Sequence, residues 1–206
     1  MTAPYLKPPH DNIEILAAAG YCLERWTCVE NHLEILYSTV SGMKKEPYAQ
    51  IILASIVSFE VRLALCHAAM SLTKTTARQK EIWNWLYNRL TKGYKKRHEV
   101  AHFRLVYYHS LKRWELTPFY SFGRHYEVTE HGLTVRQIEE RAAIFNHLGA
   151  DLFWFAHDLR GHLRKRGGRR QPMPGRVRQH LEQVARTRAE QSRQPRPRSA
   201  KAGKKK

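Results

Sequence analysis

The chain has 206 residues, with 36 Lys and Arg against 18 Asp and Glu, for a formal net charge of +18. A 42% hydrophobic share with 11% aromatics excludes a wholly disordered polymer, and the length suits one domain of about 100–200 residues plus an appendage. The basic excess favours a polyanionic partner.

Residues 1–10 read as an N-terminal arm, and Met1-Thr2-Ala3-Pro4-Tyr5-Leu6-Lys7 lacks the charged-then-apolar pattern of a secretory signal. A first helix follows. Ile15, Ala19, Cys22, Trp26, Val29, Leu33, Leu36 and Val40 step alternately by four and three, the period at which one helix face stays apolar. Ala49, Ile52, Ile56, Phe59, Leu63, Cys66 and Met70 repeat that pattern and predict a second long helix. The longest apolar run, Ile51 to Phe59, contains Ser55 and Ser58 and is followed at once by Glu60 and Arg62. A membrane span needs roughly 20 apolar residues, so none is expected. Cys22, Cys28 and Cys66 are odd in number and have no ligand-like spacing, which predicts reduced thiols in a cytoplasmic protein.

A third helix is expected from about Thr76 through Ile82, Leu86 and Leu90, with Gly93 interrupting it before a second stretch to about Arg104. The next segment, about 105–133, is rich in Tyr, Phe and Trp. Leu105-Val106-Tyr107-Tyr108 and Arg113-Trp114-Glu115-Leu116 read there as short strands ended by Pro118 and Gly123. The last helix opens on a T-x-x-Q capping box, Thr134 with Gln137, and Leu133 can staple onto Ile138. Its seam is Val135, Ile138, Ala142, Phe145, Gly149, Leu152, Ala156, Leu159 and Leu163. Residues 165–206 hold 15 Lys and Arg against Glu182 and Glu190, have no Phe, Trp or Tyr, and read as a disordered basic C-terminal tail. Within it, Val177, Leu181 and Val184 can form a turn or two that does not persist alone. The expected fold class is therefore all-α: a four-helix bundle of antiparallel helices over residues 11–164, with a small β-rich insertion at about 105–133 and the tail.

The chemical candidates converge on Lys95-Lys96-Arg97-His98-Glu99-Val100-Ala101-His102-Phe103. His98-Glu99-Val100-Ala101-His102 spells H-E-x-x-H, which on a helix puts two imidazoles on one face for Zn²⁺, with Glu99 as general base. The setting opposes a zinc hydrolase. Lys95, Lys96 and Arg97 precede the first His and Arg104 follows Phe103, so cations crowd the place where a metal would sit. A third ligand would have to be Glu127 or Glu130 from the insertion. On this balance no metal and no cofactor are expected.

Arg97, four residues, then His102, with polar His98 directly after the Arg, resembles the signature of the HEPN superfamily. Its members are compact α-helical bundles found in many ribonucleases and toxin–antitoxin systems. Ile56-Val57-Ser58-Phe59-Glu60 also looks like the acidic-helix element of many members, whereas a β-rich insertion is a departure from their common sheetless cores. The resemblance, over roughly residues 11–164, implies a metal-independent endoribonuclease working as a homodimer that apposes two motifs in one cleft. It also implies toxin–antitoxin or phage-defence settings with an antitoxin-like protein partner.

The side chains make that chemistry intelligible. An imidazole titrating near neutrality can move the 2′-OH and 5′-oxygen protons, which makes His102 the base or acid. A guanidinium can grip phosphate oxygens bidentately, which makes Arg97 the clamp. His98, one turn before His102, can orient substrate or share a proton. Lys95, Lys96 and Arg104 are candidate RNA-binding cations and Glu60 a supporting residue, although Glu60 reads first as a buried salt-bridge partner of Arg97 or Arg62. The alternative for Arg97 and His102 is a non-catalytic module of the same fold that binds RNA or a protein. Trp83, Trp85 and Tyr87 read as packing. Tyr107-Tyr108, Trp114 and Phe119-Tyr120 read first as the packing that short strands need, but, interleaved with Arg104, Lys112, Arg113 and Arg124, they also combine aromatic faces with cations as single-stranded RNA binders do.

Overall fold

The N-terminal boundary of the first helix already follows the apolar period. In the computed structural model, which describes residues 12–43, 46–118, 132–163 and 172–193, α1 spans Ile13–Val40 and buries Ile15, Cys22, Trp26, Val29, Leu33 and Leu36. It ends where Gly42 takes φ +70°, a left-handed conformation that halts a helix without steric penalty for glycine.

The second expected helix is two. α2 (Glu46–Ala54) and α3 (Phe59–Leu72) are separated by 55–58. The β-branched pair Ile56-Val57 is poor helix material, and Ser58 adopts an extended conformation as N-cap, its Oγ accepting from the Val61 N–H at 3.4 Å. Arg62 then reaches back and donates to the Ala54 and Ile56 carbonyls, satisfying backbone acceptors that the end of α2 leaves open. The seam shifts with the break: Leu53 is buried and Ile52 is 42% exposed, whereas Phe59, Leu63, Cys66 and Met70 are buried as the period requires.

α4 runs unbroken from Ala77 to His102. Thr76 and Gln79 form a reciprocal capping box at its start. Gly93 does not interrupt it. A Cβ there would stand 3.0 Å from the Trp26 ring and 3.3 Å from Leu148, so glycine marks a close approach of α4 to α1 and α5. The expected strands form: β1 (Arg104–Tyr108) pairs antiparallel with β2 (Arg113–Thr117), Tyr107 opposite Trp114 and Leu105 opposite Leu116. Lys112 takes φ 49° in the turn. Leu116 and Leu133 exchange backbone hydrogen bonds, and Gly132 lies so close that a Cβ would meet the Leu116 carbonyl oxygen at 2.7 Å. Gly123, the expected stop, lies outside the described residues, as does the 1–10 arm. α5 (Val135–Leu163) opens on the anticipated capping box, with the Thr134 N–H donating to Gln137 Oε1 at 2.9 Å and the Gln137 N–H to Thr134 Oγ1 at 3.4 Å.

Directions between helices differ from the antiparallel expectation. Trp26 meets Phe145, and Gly149 and Phe153 meet His32, so α1 and α5 run parallel; theirs is the most extensive helix pair. Trp26 likewise meets Phe59, and Thr73 donates to the Val40 carbonyl, so α3 also runs with α1. α4 runs against α5: Gln79 bonds Asp158 at 3.2 Å, Arg89 pairs with Asp151 at 2.9 Å, and Arg141 reaches Lys96. Asp151 is fully buried and Arg89 lies 4.5 Å over the Trp85 ring, so this ion pair is sheltered from water on its acidic side.

The chain divides into two units, Met1–Gln171 and Pro172–Lys206. The described part of the second is α6, Gly175–Arg193, which replaces the expected disorder over those residues. The Gly and Pro residues of the tail all fall at or outside its ends, at 167, 168, 172, 174, 175, 195, 197 and 203. Inside, Arg178, Glu182, Arg186 and Glu190 recur at four-residue spacing, where opposite charges support a helix.

Candidate active site

The last turns of α4 hold the hexapeptide. Two side chains come together as their four-residue spacing requires: His98 and His102 are exposed, with ring centroids 4.2 Å apart. A run of rings leads from them to the core. Tyr94 is 6.4 Å from His98 and stacks on Phe59 at 5.1 Å, and Phe59 meets buried Trp26 at 4.8 Å. This sequence of contacts seats one end of the imidazole pair on a rigid base, the first turn of α3 packed on α1. α4 stops directly after His102, where Phe103 turns to an extended conformation and its N–H donates to the Glu99 carbonyl.

Arg97 is half-buried, and its Nε is enclosed without a hydrogen-bond partner. Successive helix positions are rotated by about 100°, so its side chain leaves α4 on a different face from the imidazoles. One chain therefore presents the pair and the guanidinium side by side rather than facing each other across a cleft. Lys95 and Arg104 are exposed and Lys96 is half-buried; Lys95, three residues before His98, shares its side of α4, whereas Lys96, two before it, does not.

Glu99 is committed elsewhere. Arg141 of α5 pairs with it at 2.5 Å and donates to the Lys96 carbonyl at 3.0 Å, tying the end of α4 to α5. The group that a zinc mechanism would use as general base is thus held by a guanidinium. Among the described residues no three His, Cys, Asp or Glu converge as a metal-binding group, and Glu127 and Glu130 lie outside them.

Glu60 corrects an expectation. It is exposed on the first turn of α3, not buried in an ion pair, and Arg62 pairs instead with Glu30 at 3.8 Å and Glu34 at 3.7 Å. The geometric reason is local: Arg62 is turned toward α1 and the end of α2, where the carbonyls of 54 and 56 also recruit it. Trp83 is core packing, 3% exposed, with its indole N–H donated to His67 Nδ1 at 3.1 Å. All three cysteines are free thiols; burial pushes Cys22 up to about 11 against an opposing pull from Arg141, and raises Cys66 further.

Two contributors were not singled out from the letters. Tyr94 was accessible, because Leu90, Tyr94, His98 and His102 lie four apart on one face. Arg141 carried no signal, being a single charge beside the α5 seam. No helix among the described residues is long and apolar enough to cross a membrane. No family model, curated protein or solved structure matches the chain.

Proposed function

We propose that the chain is a metal-independent endoribonuclease of HEPN type, a four-helix bundle built from α1, α3, α4 and α5 that works as a homodimer. One observation carries the reading: two exposed imidazoles 4.2 Å apart, directly after Arg97 in a stretch that also holds Lys95, Lys96 and Arg104. In this mechanism one imidazole takes the 2′-OH proton as the 2′-oxygen bonds to phosphorus. The bond from phosphorus to the 5′-oxygen breaks, and a protonated imidazole supplies the proton that the leaving oxygen needs. Arg97 grips the phosphate oxygens as their charge builds. Because Arg97 and His102 leave α4 on different faces, a second motif opposite the first completes the grip, and that is the argument for two copies. RNA is the substrate, and an antitoxin-like protein is the partner that the resemblance implies.

A second reading has an observation of its own. The enclosed Nε of Arg97 suits a side chain that packs rather than catalyses, as in a non-catalytic module binding RNA or protein. A zinc hydrolase is the weaker alternative, since Glu99 is occupied by Arg141. Labelled RNA incubated with the purified chain, with and without EDTA and beside His102→Ala, separates them. EDTA-resistant cleavage lost in the variant supports the nuclease; cleavage that survives His102→Ala contradicts it. RNA retention without cleavage supports the module, and EDTA-sensitive hydrolysis the zinc enzyme.

A further inference from the structure

The β-hairpin begins where the candidate site ends. Only Phe103 separates His102 from β1, so the hairpin is fixed to the end of α4 without a flexible linker. Strand side chains alternate between faces, and the Tyr107–Trp114 cross-strand pair places two rings on one face with centroids 5.2 Å apart. His109 meets Tyr107 edge-on at 4.9 Å, extending the ring group toward the turn. The opposite face is occupied differently: Arg113 pairs with Glu115 at 2.6 Å, and Glu115 is fully buried. Tyr107 and Trp114 are half-buried, while His109, Leu111 and Lys112 beyond them are exposed.

Charge and position select the occupant. Exposed Lys112 stands in the turn next to the ring pair, and exposed Arg104 stands at the base of β1 on the other face of the hairpin, so a cation lies at each end of the strand. A partner with negative charge repeating along its backbone and flat faces between the charges matches this arrangement. Single-stranded RNA has both, whereas a duplex hides its base faces in the stack. At about 3.3 Å per residue, Tyr107 lies within about 17 Å of His102 along the chain, close enough for a strand held at the imidazoles to continue onto the hairpin.

We propose that Tyr107 and Trp114 form a stacking platform for unpaired bases flanking the phosphate held at Arg97, His98 and His102. The proposal rests on the RNA-cleaving reading and adds a preference: unpaired RNA is taken over duplex. The test uses the full-length His102→Ala chain, so that bound RNA is not cut, and fluorescence anisotropy with a labelled single-stranded RNA and its duplex form. Tyr107→Leu or Trp114→Leu, which keeps apolar bulk but removes the aromatic face, weakens single-strand binding by about 5- to 100-fold while duplex binding is unchanged. Tyr107→Phe keeps the affinity, because the ring face and not the hydroxyl stacks; the unchanged duplex binding of the Leu variants is what a folding defect of the hairpin would not explain. Equal loss for single strand and duplex, or no loss for single strand, overturns the platform. Cleavage by the wild-type chain is scored separately. RNA cut normally by a chain whose Tyr107→Leu variant binds as well as its parent sinks the platform alone. Platform-dependent binding by a chain that never cuts sinks only the nuclease.

Discussion

His32 lies where α1 meets α5, its ring 5.0 Å from Phe153 and its Nδ1 3.5 Å from where a Cβ on Gly149 would stand. Burial lowers its pKa below the ordinary 6.5; the Gly149 backbone opposes this and nearby His157 adds to it. The folded chain therefore holds this imidazole neutral over a range where the unfolded chain would protonate it. Its contribution to stability is complete above about pH 6.5 and is lost as pH falls from there through the lowered folded value. Urea unfolding at pH 7.5 and 5.5 should show a larger drop for wild type than for His32→Gln, and equal drops contradict the assignment. At this scale the letters were partly legible. The Arg97, His98 and His102 spacing is in the sequence because helix geometry makes residues four apart neighbours. His32 and Arg141 were invisible, because their roles come from what another helix places against them.

At the scale of elements, the ends decide more than the seams. The capping box at Thr134 was readable from four letters, since its donors and acceptors are all local; Thr134→Ala should cost about 1 kcal/mol in denaturant unfolding. A midpoint unchanged within error would show that tertiary packing alone starts α5. The break between α2 and α3 was not readable from periodicity. In the letters Ala49, Ile52, Ile56, Phe59, Leu63 and Cys66 keep one apolar phase across it, whereas the interruption, and with it the shift of burial to Leu53, comes from the Ser58 cap and the Arg62 carbonyl contacts. α6 was missed for the converse reason: averaging composition over 42 residues hid a 19-residue stretch from which Pro is absent and in which Gly appears only at its first position.

Across the whole molecule, a seam tells which side of a helix is buried but not the direction of its neighbour, so the parallel run of α1 and α5 emerged only from the paired contacts. Charge is the property the sequence states most directly. Of the net +18, residues 165–206 hold 15 bases and 2 acids, which is +13, leaving +5 for residues 1–164. Binding of single-stranded RNA should therefore weaken steeply with salt, each neutralised phosphate contributing about 0.7 to the log–log slope. Replacing Lys201, Lys204, Lys205 and Lys206 by Gln should lower that slope by up to about 3, without altering where RNA is cut. An unchanged slope would exclude these four lysines from the polyanion contact.

The claim that the α4 imidazoles cut RNA by 2′-OH attack is tested most directly by the ends of the fragments released in EDTA. Attack by the 2′-oxygen leaves 2′,3′-cyclic phosphate on one fragment and 5′-hydroxyl on the other, both absent with His102→Ala. Fragments carrying 3′-hydroxyl and 5′-phosphate would contradict it.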